Sequence, residues 1–185
     1  MLVLASASPR RQELLRAAGI AFEVQPADIA EESLPGEKAK DCAMRLAREK
    51  AEAIARGRPA DLVLGADTVV AIDGQILNKP LDAADAGRML RLLAGRTHQV
   101  ITGVCLAESG HCAVESEITN VTMTGISELE IAEYVATGEP MDKAGGYAIQ
   151  GMASRWIPRI EGDYSNVVGL PIALVYRMLR GTGRR

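Results

Sequence analysis

Three stretches of this chain carry residue types and spacings that suit chemistry on a phosphate. The first is Ser8-Pro9-Arg10-Arg11. Ser8 is a natural N-cap and Pro9 a preferred first helical residue. A helix N-terminus leaves N–H groups unpaired and carries partial positive charge, so arginines there oppose helix stability but suit a docked anion. Residues 5–11 therefore read as a phosphate-binding corner, and the plain alternative is a first helix with two surface arginines. The second stretch is Gly65-Ala66-Asp67-Thr68, which follows the apolar run Leu62-Val63-Leu64. A carboxylate beyond the carboxyl end of a buried strand can hold a metal or activate water, whereas a turn aspartate merely caps local backbone. The third is Lys50. At about 100° per residue, Ala43, Leu46, Ala47 and Ile54 share one helix face, Arg45, Arg48, Glu49 and Glu52 share the opposite one, and Lys50 falls inside the apolar stripe. A lysine there snorkels out, pairs with a carboxylate or reaches a ligand.

Weaker signals surround these. Lys79 is held in an extended path by Pro80 and is either a phosphate contact or an ordinary exposed lysine. Glu31 and Glu32 lie in an acidic connection and, taken alone, read as solvated charges. The segments 142–147 and 162–166 are polar loops with glycines, which let backbone approach a ligand closely. The Gln150 amide offers both a donor and an acceptor and so could read a base edge. For each of these a plain loop is the competing reading.

The elements that must position these side chains alternate between strand and helix signals, which predicts an α/β fold. Strands are expected at 1–5, 20–25 and 62–64, a hairpin over 69–77 turning at Asp73-Gly74, and long strands at 97–107 and 112–123 joined at Ser109-Gly110. Helices are expected from Pro9 to about Ala18, over 37–56 and over 83–93. Another opens on the capping box Ser127-Glu128-Leu129-Glu130, and a last one begins near Pro171. Residues 26–36 read as connection, 139–166 as loop and 181–185 as a frayed tail.

Length and composition bound the class. A chain of 185 residues suits one domain, or one domain with two lobes. One Trp, one Phe and a net charge of −3 argue against a surface for nucleic-acid polymers. The odd count of three cysteines, Cys42, Cys105 and Cys112, fits reduced thiols in a cytoplasmic protein. With two histidines a His-rich zinc site is not expected. Neither a signal-peptide pattern nor a membrane-spanning run is present. The chain also lacks G-x-x-x-x-G-K-[ST], G-x-G-x-x-G after a strand, H-E-x-x-H and G-x-S-x-G.

Taken together, the segments 5–15, 46–51, 65–70, Lys79-Pro80, 95–104, 142–151 and 162–171 resemble the Maf (septum-formation-inhibitor) family of nucleoside triphosphate pyrophosphatases, in the family's order and over nearly the whole chain. The resemblance implies a single domain over 1–185: an elongated, two-lobed mixed α/β sheet with flanking helices and a central cleft, related to the inosine triphosphate pyrophosphatases. It implies hydrolysis of a nucleoside triphosphate to monophosphate and pyrophosphate with a divalent cation, Mg²⁺ or Mn²⁺. Thr68 beside Asp67, and the stretch 148–151, resemble the branch acting on dTTP and UTP. The branch acting on 7-methyl-GTP differs at the positions of Arg11, Thr68 and Gln150. Aligned back from Lys50, Glu31 rather than Glu32 takes the place of the metal-binding glutamate. Gly146 stands where alanine is more usual. The resulting expectation has Ser8, Arg11, Lys50 and Lys79 meeting the triphosphate, Asp67 activating water, and Glu31 with Asp67 holding the metal. Arg11, Thr68 and Gln150 would set base choice, and the resemblance further implies a homodimer. A nucleotide-binding regulator of cell division is the alternative from another class, and a pyrophosphatase for modified nucleotides the alternative among enzymes.

Overall fold

The computed structural model describes residues 1–183. Its centre is a seven-stranded mixed sheet in the order β2-β1-β3-β5-β6-β7, with β4 paired to β3. β1 (Leu2–Leu4) and β2 (Glu23–Val24) run parallel, and β1 also runs parallel to β3 (Leu62–Ile72). β4 (Gln75–Leu77), β5 (Thr97–Glu108), β6 (His111–Thr122) and β7 (Arg159–Glu161) are antiparallel to their neighbours. The helices are α1 (Pro9–Ala17), α2 (Ala39–Ala55), α3 (Ala83–Leu93), α4 (Glu128–Ala136), α5 (Tyr164–Val168) and α6 (Ile172–Gly181).

Local chemistry explains most boundaries. Ser8, Asp82 and Ser127 cap α1, α3 and α4 through their side chains, and the capping box at Ser127 and Glu130 is closed in both directions. Asp73-Gly74 and Ser109-Gly110 take positive φ at both positions, as a two-residue hairpin turn requires.

Some expectations need correction. Residues 65–68 do not end a strand. β3 runs unbroken through them and pairs with β5 from Val63 to Ala71, so Asp67 is a mid-strand residue. β2 is shorter than 20–25 suggests. The segment 139–166, expected as loop, contains three 3-10 turns, β7 and the start of α5, whose N-cap is Asp163. Gly181 belongs to α6, and residues 184–185 of the expected tail lie outside the described residues.

The pairing of β3 leaves an opening. β5 occupies one of its edges along nearly its full length. On the other edge β1 pairs with 62–64 and β4 with 70–72. Between them the edge from Gly65 to Val69 faces no strand, and this gap is the floor of the central cleft.

Side-chain alternation along β3 and β5 then sorts the core. On one face Leu62, Leu64 and Ala66 join Leu4, Leu15, Val104 and Leu106 beneath α1 and α6. Farther along the same face Val70 and Ile72 join Val100, Leu90, Leu93 and Tyr134 beneath α3 and α4. Thr68 lies at the seam between these two clusters. The opposite face is covered by α2, which contributes Ala47, Ala51 and Ile54 to one cluster and Cys42, Ala43 and Leu46 to another.

The fit of α2 depends on two glycines. A Cβ at Gly65 would lie 2.2 Å from the Ala47 carbonyl oxygen, and one at Gly103 would lie 2.2 Å from the Ala43 carbonyl oxygen. Gly65 therefore serves close backbone approach and not a turn. Gly103 pairs with Asp67 in the β3–β5 register. The helix can thus lie almost on the sheet next to Asp67, and this brings Lys50 to that carboxylate.

Candidate active site

The cleft is about 790 Å³, within the usual range for a small-molecule site. Its lining draws on the β1–α1 corner, the acidic connection, α2, β3, the turn after β4, the segment 142–150 and the approach to α6.

At its floor Lys50 is 4% exposed, and Asp67 is 7% exposed. Lys50 Nζ donates to Asp67 Oδ1 at 2.6 Å and lies 2.6 Å from Glu31 Oε1. Lys79 Nζ donates to Glu31 Oε2 at 3.2 Å. Burial pushes the Glu31 carboxyl up, but the two lysines together outweigh it and hold Glu31 below its ordinary value. The lysine of the apolar stripe does not snorkel out: it pairs with two carboxylates and lines the cleft. Of the two candidate glutamates, Glu31 reaches the site through its side chain. Glu32 accepts from Arg45 through its backbone carbonyl.

A second group surrounds Thr68. Arg11 is buried and committed on three sides: Nε donates to the Gly169 carbonyl at 2.9 Å, Nη1 to Ser6 Oγ at 3.1 Å and Nη2 to Thr68 Oγ1 at 3.2 Å. Burial lowers its pKa, while the Asp67 and Glu31 charges oppose that shift. Thr68 Oγ1 also shares a 2.9 Å hydrogen bond with Thr102 Oγ1. Ser8 Oγ accepts from the Arg11 backbone N–H at 3.5 Å, so it caps the helix and still has a hydroxyl proton to donate. Arg10 lies 3.9 Å from Asp142 across the cleft.

The structure therefore brings Ser8, Arg11, Glu31, Lys50, Asp67, Thr68, Lys79 and Gln150 to one cleft. Six of them form two neighbourhoods: a charged floor of Lys50, Asp67, Glu31 and Lys79, and a wall of Arg11 and Thr68 that hydrogen bonds to Gly169 and, behind the lining, to Thr102. Gln150 is exposed on the far side. Sequence reasoning missed Thr102 and Gly169. A polar residue inside an apolar strand and a glycine just before Leu170-Pro171 were the available signals. At Gly169, φ is 134°, a backbone region that suits glycine and turns its carbonyl to Arg11.

Among the described residues no helix is long and apolar enough to cross a membrane, and Cys42, Cys105 and Cys112 are free thiols.

Comparison with known proteins places this chain in a family. The Maf-like protein family model matches residues 1–182. A protein of Koribacter versatilis (strain Ellin345), named dTTP/UTP pyrophosphatase, is 59% identical over 182 residues, covering 98% of this chain and 94% of the relative. A protein of Syntrophomonas wolfei subsp. wolfei with the same name is 51% identical over 183 residues, covering 97% of each chain. One of Geobacter sp. (strain M21), again so named, is 52% identical over 184 residues, covering 98% of this chain and 95% of the relative. On its cleft, its sheet and these matches along its length, the chain belongs to the Maf-like protein family.

Proposed function

We propose that this protein hydrolyses dTTP and UTP to the monophosphate and pyrophosphate, with water attacking the α-phosphorus. The observation that carries the proposal is the pair of carboxylates, Asp67 and Glu31, meeting at one buried ammonium on the floor of a nucleotide-sized cleft. Relatives that match 97–98% of this chain and bear the name dTTP/UTP pyrophosphatase support the substrate class.

The residues fit a hard divalent cation carried in with the triphosphate. Glu31 and Asp67 supply two carboxylates, and among the described residues no third acidic, histidine or cysteine side chain joins them into a self-sufficient cage. Mg²⁺ is commonly held in this way, by one or two carboxylates together with phosphate oxygens and water. Bound there, Mg²⁺ or Mn²⁺ would neutralise phosphate charge and polarise the phosphoryl oxygens.

The chain's own groups divide the rest of the work. Lys50 and Lys79 meet the negative charge of the triphosphate, and the capped N-terminus of α1 with Ser8 adds neutral donors. Asp67 takes the proton of the attacking water, in line with the pyrophosphate leaving group. Arg11 acts mainly through its bonds. It holds Thr68 and the Gly169 carbonyl in fixed positions, and so transmits the geometry of the phosphate corner to the base site. Gln150 pairs with the uracil or thymine edge from the opposite wall. We take the working compartment to be the cytoplasm, which suits three free thiols, and the assembly to be a homodimer, as the resemblance implies.

The test is incubation of the purified protein with a panel of nucleoside triphosphates and Mg²⁺ or Mn²⁺, with products separated by chromatography. UMP or dTMP with pyrophosphate is the expected result. Turnover of purine or methylated substrates alone would overturn the base assignment, and nucleotide binding without turnover under either metal would overturn the reaction.

A further inference from the structure

β5 carries a polar side chain that the reaction above leaves unused. On its Thr68 face His98, Val100 and Thr102 follow one another at every second residue. Thr102 bonds to Thr68. His98 lies about 13 Å back along the strand, is 2% exposed, and shares a 2.6 Å hydrogen bond with Tyr147 Oη. The two rings meet edge to face at 5.4 Å. Burial pushes His98 down to about 4 and Tyr147 up, so the bond joins two neutral groups at physiological pH. His98 Nδ1 is buried and has no partner among the described residues.

A buried imidazole with one nitrogen unpaired is an unfavourable way to fill a core, since a lone polar group costs about 1–3 kcal/mol in desolvation. An apolar side chain would fill the same space without that cost. What the histidine adds is a fixed point for Tyr147. The three residues after Tyr147 are Ala148, Ile149 and Gln150, and all of them line the cleft.

The same segment is fastened at its other side. Ala148 N–H donates to Tyr134 Oη at 3.3 Å, Tyr134 Oη donates to Glu139 Oε1 at 2.8 Å, and Met152 N–H donates to Glu139 Oε2 at 3.3 Å. A Cβ at Gly151 would lie 1.9 Å from Glu139 Oε1, so a side chain there would push the carboxylate off these bonds. Gln150 itself is exposed, so its place in the wall is set by these flanking contacts.

We infer that His98 and Tyr147 are positioning residues for base recognition: their hydrogen bond ties the Gln150 segment to the strand that, through Thr102, also fixes Thr68. β5 thereby sets the spacing between Gln150 and the Thr68 that supports its geometry. This inference rests on the pyrimidine-pairing role proposed for Gln150, with Thr68 supporting that geometry.

The test compares UTP with CTP, whose bases differ at the edge an amide reads. Tyr147→Phe keeps the ring and its packing but removes the hydroxyl. It is expected to raise KM for UTP about tenfold while kcat stays within about twofold, and to lower the UTP-to-CTP ratio of kcat/KM about tenfold, the scale of one neutral hydrogen bond. His98→Leu/Tyr147→Phe removes both polar groups. It is expected to recover most of the Tm lost in the single variant, with KM and base preference still impaired. A double variant that regains both Tm and the wild-type UTP-to-CTP ratio would show a purely structural bond and overturn the inference. Tyr147→Phe alone decides the matter if the double variant does not fold, since an unchanged ratio overturns it equally. Wild-type protein that does not prefer UTP over CTP refutes the underlying base-reading role, and the inference with it. Wild-type preference that survives in the variants refutes the inference alone.

Discussion

Replacing Lys50 by methionine should remove the charge that allows two carboxylates to share the cleft floor. The methionine keeps most of the aliphatic stem, so the change is close to a deletion of charge. Lys50 Nζ lies 2.6 Å from an oxygen of each carboxylate, while Asp67 is 7% exposed and the Glu31 side chain 43% exposed. At an effective dielectric of about 20, each contact has a gross attraction of about 6 kcal/mol, most of it offset by desolvation. Taking one partner from a buried pair costs about 3–5 kcal/mol, because the remaining charge is left without a counter-charge. Glu31 can turn to water and to Lys79 and adds little. The loss should therefore be about 3–5 kcal/mol and should come from Asp67. That is a large part of the stability of an ordinary domain. The assay is urea unfolding of wild type, Lys50→Met, Asp67→Asn and the double variant as a thermodynamic cycle. Asp67→Asn in the Lys50→Met background should recover about 2 kcal/mol or more, because an amide tolerates the site better than an unpaired carboxylate. A Lys50→Met protein as stable as wild type, or one that Asp67→Asn fails to rescue, would refute the electrostatic reasoning.

Further outcomes follow from the same geometry. Asp67→Asn keeps the shape of the site and should leave less than a few per cent of turnover with a native circular dichroism spectrum; greater residual activity in a steady-state assay contradicts its role as base. Gly103→Ala places a methyl 2.2 Å from the Ala43 carbonyl oxygen, so α2 must shift. About 3 kcal/mol should be lost in denaturant unfolding, with a fall in kcat as Lys50 moves; a cost under about 0.5 kcal/mol contradicts the close packing of α2. His98 is held at about 4, below its ordinary 6.5. The unfolded chain therefore binds the extra proton first, so the contribution is complete above 6.5 and is lost as pH falls through 4. Unfolding free energies measured over that window should decline in wild type more steeply than in His98→Leu, by about 3 kcal/mol at the acid end.

Much of the fold is legible in short-range chemistry. α3 is expected over 83–93 and is observed there, capped by Asp82, and both hairpins announce themselves by turn residues that accept positive φ. The course of β3 is not legible, and the reason is physical. Gly-Ala-Asp-Thr has the composition of a turn, and nothing local says that its glycine serves the backbone of α2 instead. The charged floor is half legible. The periodicity of α2 singles out Lys50, but only the register of β3 on β5 shows that Asp67 meets it from the facing element. The wall is least legible. The opening of a helix marks Arg11 for a phosphate, but no local signal shows its bonds to Thr68, 57 residues on, and to Gly169, 158 residues on. The tie from His98 to Tyr147 is equally non-local, and a histidine between Thr97 and Gln99 carries no sign of it.

The proposed attack on the α-phosphorus is tested most directly by the position of the bond that water breaks. UTP hydrolysed by the protein in ¹⁸O-water with Mg²⁺ should give UMP bearing the label on its phosphate and pyrophosphate without it, the outcome of the proposed attack of water on the α-phosphorus. Label in the pyrophosphate would mean attack at the β-phosphorus, and formation of UDP with labelled inorganic phosphate would mean attack at the γ-phosphorus. Either result would contradict a water held by Asp67 in line with departing pyrophosphate.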